Sequence, residues 1–345
     1  MSYSEHVPLP EWCRHIGTTK LLVSEDGSGF ALDVGGKAQF DALRRALTDG
    51  LIKRLEGIWV THLHNDHTRE VPPAAREFDC PVYAVAEVAD GLKNPGAWFL
   101  PGIIPEPVDN VIVKEDGEQW QWREYSFTSH FFPGQMYNHG GLLVERSEHD
   151  PVFFIGDSFS PSGIDDYCLM NRNLMREDTG YLSCLRKVRN LPPGSWLVNQ
   201  HIPQLFRFSE GELDFLERRY RARAAMIAEL VPWDDPNYAI DEEWAWFYPY
   251  ASEAKAGQRL EVEVRIWNHS TRERDFRLVI NESPGLEVAG EIKPVTVAGR
   301  KTGAITVPIT VTTGGSPGVR VLTTGLQSEE IAVDHWIETL VKVSE

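Results

Sequence analysis

Seven consecutive residues, Thr61-His62-Leu63-His64-Asn65-Asp66-His67, constrain this chain more than anything else in it. Three imidazoles and a carboxylate fall within six positions, directly after the apolar run Gly57-Ile58-Trp59-Val60, which reads as a short buried strand. Imidazole and carboxylate are the usual ligands of Zn²⁺ and related ions. In an extended segment alternate side chains face one way, so His62 and His64 point to one side. Asp66 and His67 come where the chain turns toward a helix. One loop of this kind can serve two adjacent metal ions.

The surroundings of that loop alternate strand and helix patterns. A hairpin is expected over residues 21–32, turning at Asp26-Gly27. Phe40, Leu43, Leu47 and Leu51 then recur at helical spacing. A helix is expected over 72–78 and a buried strand over 81–85, then a Pro- and Gly-rich loop over 94–110. Further strands are expected at 125–132, 141–144, 152–155 and 195–199, with a short helix at 181–188. Ser209 and Glu212 form a capping box, followed by a helix with Leu213, Leu216, Tyr220, Ala224 and Ile227 on one face. From about residue 252 the helical pattern is gone. Residues 260–267 alternate strictly, and 276–280 and 302–311 follow as strands, which predicts an immunoglobulin-like β-sandwich. The expected organisation is a catalytic domain over 1–232, a linker over 233–251 and a β-sandwich accessory domain over 252–345.

Composition narrows the function classes. Lys plus Arg is 34 against 51 for Asp plus Glu, a net charge of −17 that disfavours coating a nucleic acid. Eleven Trp, ten Tyr and fifteen Phe exclude disorder over most of the chain. No apolar run reaches the ~18 residues of a membrane span. The start, MSYSEHVPLPEWCRH, has neither the basic nor the apolar region of a secretory signal, so a cytoplasmic address is expected. Cys13, Cys80, Cys168 and Cys184 form no CxxC pair and fit reduced, buried thiols. No Gly-x-Ser-x-Gly elbow, P-loop or dinucleotide fingerprint competes with the histidine loop.

With its HxHxDH signature at the end of a strand, the chain resembles the metallo-β-lactamase fold superfamily over about residues 17–230. Later landmarks follow in order: Phe153-Phe154-Ile155-Gly156-Asp157-Ser158 resembles the strand that ends in Gly-Asp. Leu197-Val198-Asn199-Gln200-His201 resembles the strand that delivers the last histidine. Asp33-Val34-Gly35 resembles the early Asp-x-Gly turn. The resemblance implies an αββα sandwich, an α/β fold, ahead of the all-β domain. It also implies a first metal held by His62 and His64, a second held by Asp66, His67 and His201, and Asp157 bridging both. The family's usual Pro-Gly-His-Thr turn reads Pro133-Gly134-Gln135-Met136 here. The third ligand of the first metal is therefore open among His130, His139 and Gln135, in that order of preference.

Such a site implies a dinuclear zinc hydrolase, with iron or manganese as other possible ions. A metal-bound hydroxide would attack an ester, thioester, lactone or amide. Asp66 would orient the water or hold the second ion. The substrate is expected to be a small molecule, with no nucleic acid and no membrane as partner. Trp98, Phe99, Phe131, Phe132, Tyr137, Phe159 and Tyr167 are candidates for an apolar pocket wall, although core packing is the plainer role for each. Arg172 and Arg176 could meet a substrate carboxylate, and Asp165-Asp166 reads as a solvated turn. The sandwich carries no legible chemistry; a glycan site or a homodimer contact are its open roles. The alternatives are a mononuclear iron dioxygenase of the same fold and a metal-poor, non-catalytic binding protein.

Overall fold

The computed structural model describes residues 5–100, 106–164, 173–281, 283–313, 316–329 and 331–344. The Asp165-Asp166 pair, Tyr167, Cys168 and Arg172 lie outside the described residues. The chain divides into two units, 1–95 with 100–224, and 96–99 with 225–345.

The first unit is built on two sheets. One has six strands in the order Cys13–Ile16, Thr19–Val23, Ser28–Leu32, Arg54–Trp59, Val82–Val85 and Val111–Lys114. Its first three strands are antiparallel and the rest join in parallel. The other has seven strands in the order Glu5–Pro8, Gln204–Arg207, Trp196–Val198, Val152–Phe154, Gly140–Arg146, Tyr125–Phe131 and Gln119–Trp122. Aromatic rings interdigitate between the sheets: Phe30 meets Phe127 at 5.1 Å and Tyr83 stacks on Trp120 at 6.0 Å. Fully burying a ring such as Phe30 or Phe127 contributes roughly 1.5–3 kcal/mol.

Helices cover both outer faces. Lys37–Thr48 buries Phe40, Leu43 and Ala46, and its Phe40 ring packs edge-on against Phe78 of the helix Val71–Phe78. The helix Ala86–Lys93 also packs on this sheet. On the far side, Tyr181, Leu182 and Leu185 of Tyr181–Arg189 share a core with Leu213, Leu216 and Tyr220 of Glu210–Leu230, over Phe153, Leu197 and Phe206. The Ser209 amide donates to Glu212 Oε2 at 2.8 Å and the Glu212 amide to Ser209 Oγ at 3.3 Å, so the capping box forms. The layering is the αββα sandwich that the resemblance implies.

The second unit is a β-rich body of two sheets. Ala245–Tyr248, Arg259–Trp267, Thr302–Val311 and Leu286–Val288 form one. Ala251–Lys255, Ile331–Ser344, Gly318–Ser328, Arg274–Ile280 and Val295–Val297 form the other. Alternation in Arg259–Trp267 sends Val262, Val264 and Ile266 inward against Phe276, Ile305, Val307 and Ile309. Residues 233–251, expected as a linker, hold the helical turn Asn237–Ile240 and the strand Ala245–Tyr248, with Trp244 and Phe247 in this core. Trp98 stacks on Trp246 at 6.3 Å and Phe99 on Tyr250 at 4.7 Å within the same unit.

No helix among the described residues is long and apolar enough to cross a membrane. Cys13, Cys80 and Cys184 are free and buried, and burial pushes the Cys13 thiol up to about 12.

Candidate metal centre

The histidine loop leaves the C-terminal end of the strand Arg54–Trp59, the usual ligand edge of a sheet with parallel neighbours. His64 enters a single helical turn, Asn65–Thr68, that carries Asp66 and His67. Two backbone bonds tie this turn to the Asp33-Val34-Gly35 corner. The Val34 amide donates to His67 O at 2.8 Å and the Glu70 amide donates to Val34 O at 2.9 Å. Gly35 is required by the approach, because a Cβ there would lie 1.5 Å from Asp66 O.

Asp33 organises the interior from a left-handed backbone, φ 61°. Its Oδ1 accepts from the Thr61 amide at 2.7 Å. Its Oδ2 accepts from Thr61 Oγ1 at 2.7 Å, His67 Nδ1 at 2.9 Å and Gln200 Nε2 at 2.9 Å. These bonds fix the imidazole tautomers. The Thr61 hydroxyl spends its hydrogen on the carboxylate, so it accepts from His62 Nδ1 at 2.9 Å. His62 Nε2 is then a lone pair, 3.1 Å from His64 Nδ1 and 3.9 Å from Asp157 Oδ2. His67 likewise donates at Nδ1 and turns a lone pair at Nε2 toward the cluster.

Asp157 follows the strand Val152–Phe154 and His201 follows Trp196–Val198, two strands paired in parallel. Asp157 Oδ2 lies 3.2 Å from His67 Nε2 and 3.0 Å from His201 Nε2. The two histidine nitrogens are 3.3 Å apart, and Asp66 Oδ2 stands 3.6 Å from His67 Nε2 and 3.5 Å from His201 Nε2. Three acceptor atoms, His67 Nε2, Asp66 Oδ2 and Asp157 Oδ2, thus converge with His201 Nε2, and a shared proton or a metal cation reconciles them. His62 with His67 and Asp157, and Asp66 with His67 and His201, are the two donor groups.

The electrostatics follow from burial and these pairs. Burial opposes charge on His67, but Asp157 and Asp33 outweigh it and hold the ring well above its ordinary range. Burial also opposes the charge of Asp157, yet His67, His201 and His62 hold its carboxyl well below the usual range. His201 is raised by its bond to Asp157. Burial, then the neighbouring His67 and His64, push His62 well down. Burial takes His139 to about 3.

A family profile described as the metallo-beta-lactamase superfamily matches residues 20–194, just over half of the chain. The chain belongs to that superfamily. A curated relative, "Atrochrysone carboxyl ACP thioesterase" of Aspergillus fumigatus, is 25% identical over 214 residues, covering 59% of this chain and 58% of the relative. The chain therefore spans less than two thirds of that relative's length. Similar solved structures include a subclass B3 metallo-beta-lactamase of Bradyrhizobium japonicum, at 16% identity and TM-score 0.49, with 66% of this chain and 96% of that one covered. Another is a metallo-beta-lactamase from Elizabethkingia meningoseptica, at 17% identity and TM-score 0.48, with 65% and 93% covered.

Within the candidate centre, His62, His64, Asp66, His67, Asp157 and His201 come together. His130 does not. Its ring packs edge-on against Phe153, its Nδ1 faces Asp116 at 3.8 Å, and burial with the Lys187 charge takes it to about 4. Preference for His130 as third ligand is corrected accordingly. His139 bridges to His62 through the backbone and stacks on its ring at 4.8 Å, with Nε2 3.4 Å from Ser158 Oγ. Gly156, at φ 54°, admits this ring, because a Cβ there would lie 2.5 Å from His139 Nε2. Gln135 is buried and its amide reaches Asp157 Oδ2 at 3.5 Å.

Several candidate wall residues pack elsewhere. Phe132 and Phe159 are core residues, and Trp98 and Phe99 belong to the second unit. Phe131 and Tyr137 form a half-buried edge-on pair. Arg176 pairs with Asp178 at 2.7 Å. Thr61 and Gln200 stand inside the sequence motifs without a role of their own, and Lys20 stands outside them. A lysine opening the apolar run Leu21-Leu22-Val23 was the one signal available for Lys20.

Proposed function

We propose that the chain is a metal-dependent hydrolase of acyl substrates, with a thioester as the leading class and esters, lactones and amides as neighbours, working at a dinuclear zinc centre. The observation that carries this is the convergence of His67 Nε2, His201 Nε2, Asp66 Oδ2 and Asp157 Oδ2 within 3.0–3.6 Å. The donor chemistry fits zinc: the His67 and His62 imidazoles, whose far nitrogens are already bonded to Asp33 and Thr61, together with carboxylates. Asp157 Oδ1 is buried with no hydrogen-bond partner, which a bridging role would satisfy. The thioester preference rests on what the Aspergillus relative is named for.

His67, His201, Asp66 and Asp157 would hold one ion. His62 and His64 would hold the other, with His139 or Gln135 beside them. Bound ions would polarise a carbonyl oxygen and lower the pKa of water to about 7. The chain's own groups do the rest. Asp33 and Thr61 keep the His67 and His62 lone pairs aimed inward. Asp66 and His201 are about half exposed, 52% and 47%, so they are the ligands that a substrate approaching from solvent meets first. With Gln135 as the third ligand, the His62 and His64 half would be the weaker, because an amide is a weaker zinc ligand than an imidazole. We read the C-terminal sandwich as an immunoglobulin-like accessory unit.

The test is hydrolysis of a panel of acyl thioesters, esters, lactones and amides by wild-type protein, chelated protein and chelated protein given zinc back. Thioesterase activity that chelation removes and zinc restores is expected. Activity indifferent to chelation, or none on any of the four acyl classes after zinc loading, refutes the proposal.

A further inference from the structure

We propose that the N-terminal hairpin, Cys13–Ile16 with Thr19–Val23, is a positioning device for the Asp66 and His201 half of the centre, acting through Thr18 and Lys20. The inference rests on the metal reading above. His62 and His67 are fully buried and held by the interior. Asp66 and His201 are the exposed ligands, and the hairpin reaches the backbone at or beside each of them.

Thr18 Oγ1 donates to the Asp66 carbonyl at 2.8 Å. Lys20 Nζ donates to the Gln200 carbonyl at 2.5 Å, one residue before His201. Gln200 is tied to the site's scaffold through its backbone amide and its side-chain NH₂, while its buried Oε1 has no hydrogen-bond partner. Its amide donates to Gly156 O at 3.1 Å, and its side chain donates to Asp33 Oδ2 at 2.9 Å and Leu32 O at 3.2 Å. The His201 amide donates to Asn199 Oδ1 at 2.9 Å. Lys20 therefore fixes the last backbone group ahead of the ligand.

His15 lies directly across the hairpin from Lys20 and accepts from its ammonium at Nδ1, 2.9 Å away. An ammonium has donors only, so the His15 proton sits on Nε2. Burial, the Lys20 charge and His201 take this ring to about 4, which keeps it neutral. Burial brings Lys20 itself down to about 8.

Lys20 is fully buried, and its hydrogen bonds go to the neutral His15 Nδ1 and Gln200 carbonyl, with Asp33 and Asp157 attracting its charge from farther away. A buried ammonium held by neutral acceptors is costly to desolvate. Its position is explained by what it holds in place.

The experiment measures the two stepwise zinc affinities of the full chain by competition with a chromophoric chelator, and the melting temperature of the chelated protein. Wild type, Lys20→Met and Thr18→Val are compared, with His201→Ala identifying which equivalent belongs to this half. Lys20→Met and Thr18→Val are each expected to weaken that equivalent about tenfold, with the other equivalent within about threefold. Chelated Lys20→Met is expected to stay folded and to melt cooperatively, with the buried Gln200 carbonyl and His15 Nδ1 losing their donor. Unchanged affinity in both variants, tighter binding in Lys20→Met, or weakening of both equivalents together with a lower melting temperature each overturn the inference. A wild-type chain that takes up no zinc overturns the metal reading itself, a result that is distinguishable because it precedes any variant.

Discussion

Replacing Asp33 by Asn exchanges one oxygen of the most heavily used acceptor in the centre for an amide nitrogen. The left-handed backbone at φ 61° suits Asn as well as Asp, so the change is electronic rather than conformational. The Asn carbonyl can turn toward Thr61 Oγ1, His67 Nδ1 and Gln200 Nε2, the three donors now on Oδ2. Its NH₂ then faces the Thr61 amide, donor against donor, where Oδ1 now accepts at 2.7 Å. An unpaired buried amide costs about 1–3 kcal/mol, and three bonds that lose a charged acceptor cost about 0.5–1 kcal/mol each. The sum, about 4 kcal/mol, is a large share of the ~5–15 kcal/mol that holds a domain folded. Zinc affinity should fall about 10- to 100-fold, because the aim of His67 depends on this carboxylate. Hydrogen exchange read peptide by peptide is the suitable assay, since it separates the first unit from the second where a single unfolding curve would not. Faster exchange in Ser28–Leu32 and Arg54–Trp59 is expected, with the strands of the second unit unchanged. Wild-type exchange in those strands, together with zinc affinity within about threefold, would refute the role given to Asp33.

Asp66→Ala should abolish turnover and leave the fold intact, since its side chain is 52% exposed; a circular dichroism melt and the thioester assay check both halves, and an active variant sinks the assignment. His139→Ala should lower metal occupancy more than His130→Ala, whose ring sits on Phe153 away from the ligands; metal analysis of the two variants decides it. Gln135→His should tighten the weaker of the two zinc equivalents in a competition titration, because an imidazole replaces an amide beside Asp157. The chelated protein should be most stable near the ordinary histidine value of ~6.5. His62 and His139 are depressed in the fold, so the unfolded chain binds more protons below ~6.5, and stability rises with pH up to that point. His67 and His201 are raised, so their contribution is complete below ~6.5 and is lost as pH climbs through their folded values. Zinc should remove that falling limb by taking the His67 and His201 lone pairs; urea midpoints across pH, with and without chelator, would show a falling limb that persists in zinc if the reasoning is wrong.

What the sequence made legible was whatever is local. The HxHxDH loop is contiguous, and its strand is apolar on both faces, so ligands and placement could be read together. Asp157 and His201 are single residues after short apolar runs, and only the family resemblance singled them out. The third ligand was illegible because it depends on register. His130 pairs with Gly141 in the antiparallel ladder and lands over Phe153, while His139, just outside that strand, bridges to His62. The strand Ala245–Tyr248 passed for part of a linker because Ala-Trp-Phe-Tyr has no polar face to expose its alternation; in the fold Ala245 and Phe247 alone are buried. The long hairpin of Gly318–Ser328 and Ile331–Ser344 was missed because its exposed positions carry Val319, Val321 and Trp336, which blur the period. Lys20 and Thr18 act on residues far away in sequence, and no local pattern reports that.

Metal content of protein purified without added metal tests the central claim most directly. Mass spectrometry should find about two zinc ions per chain, one bound more tightly than the other. A single iron would contradict the dinuclear zinc centre and favour the dioxygenase alternative. No metal, with none taken up on reconstitution, would mean that the converging His67, His201, Asp66 and Asp157 are balanced by protons alone.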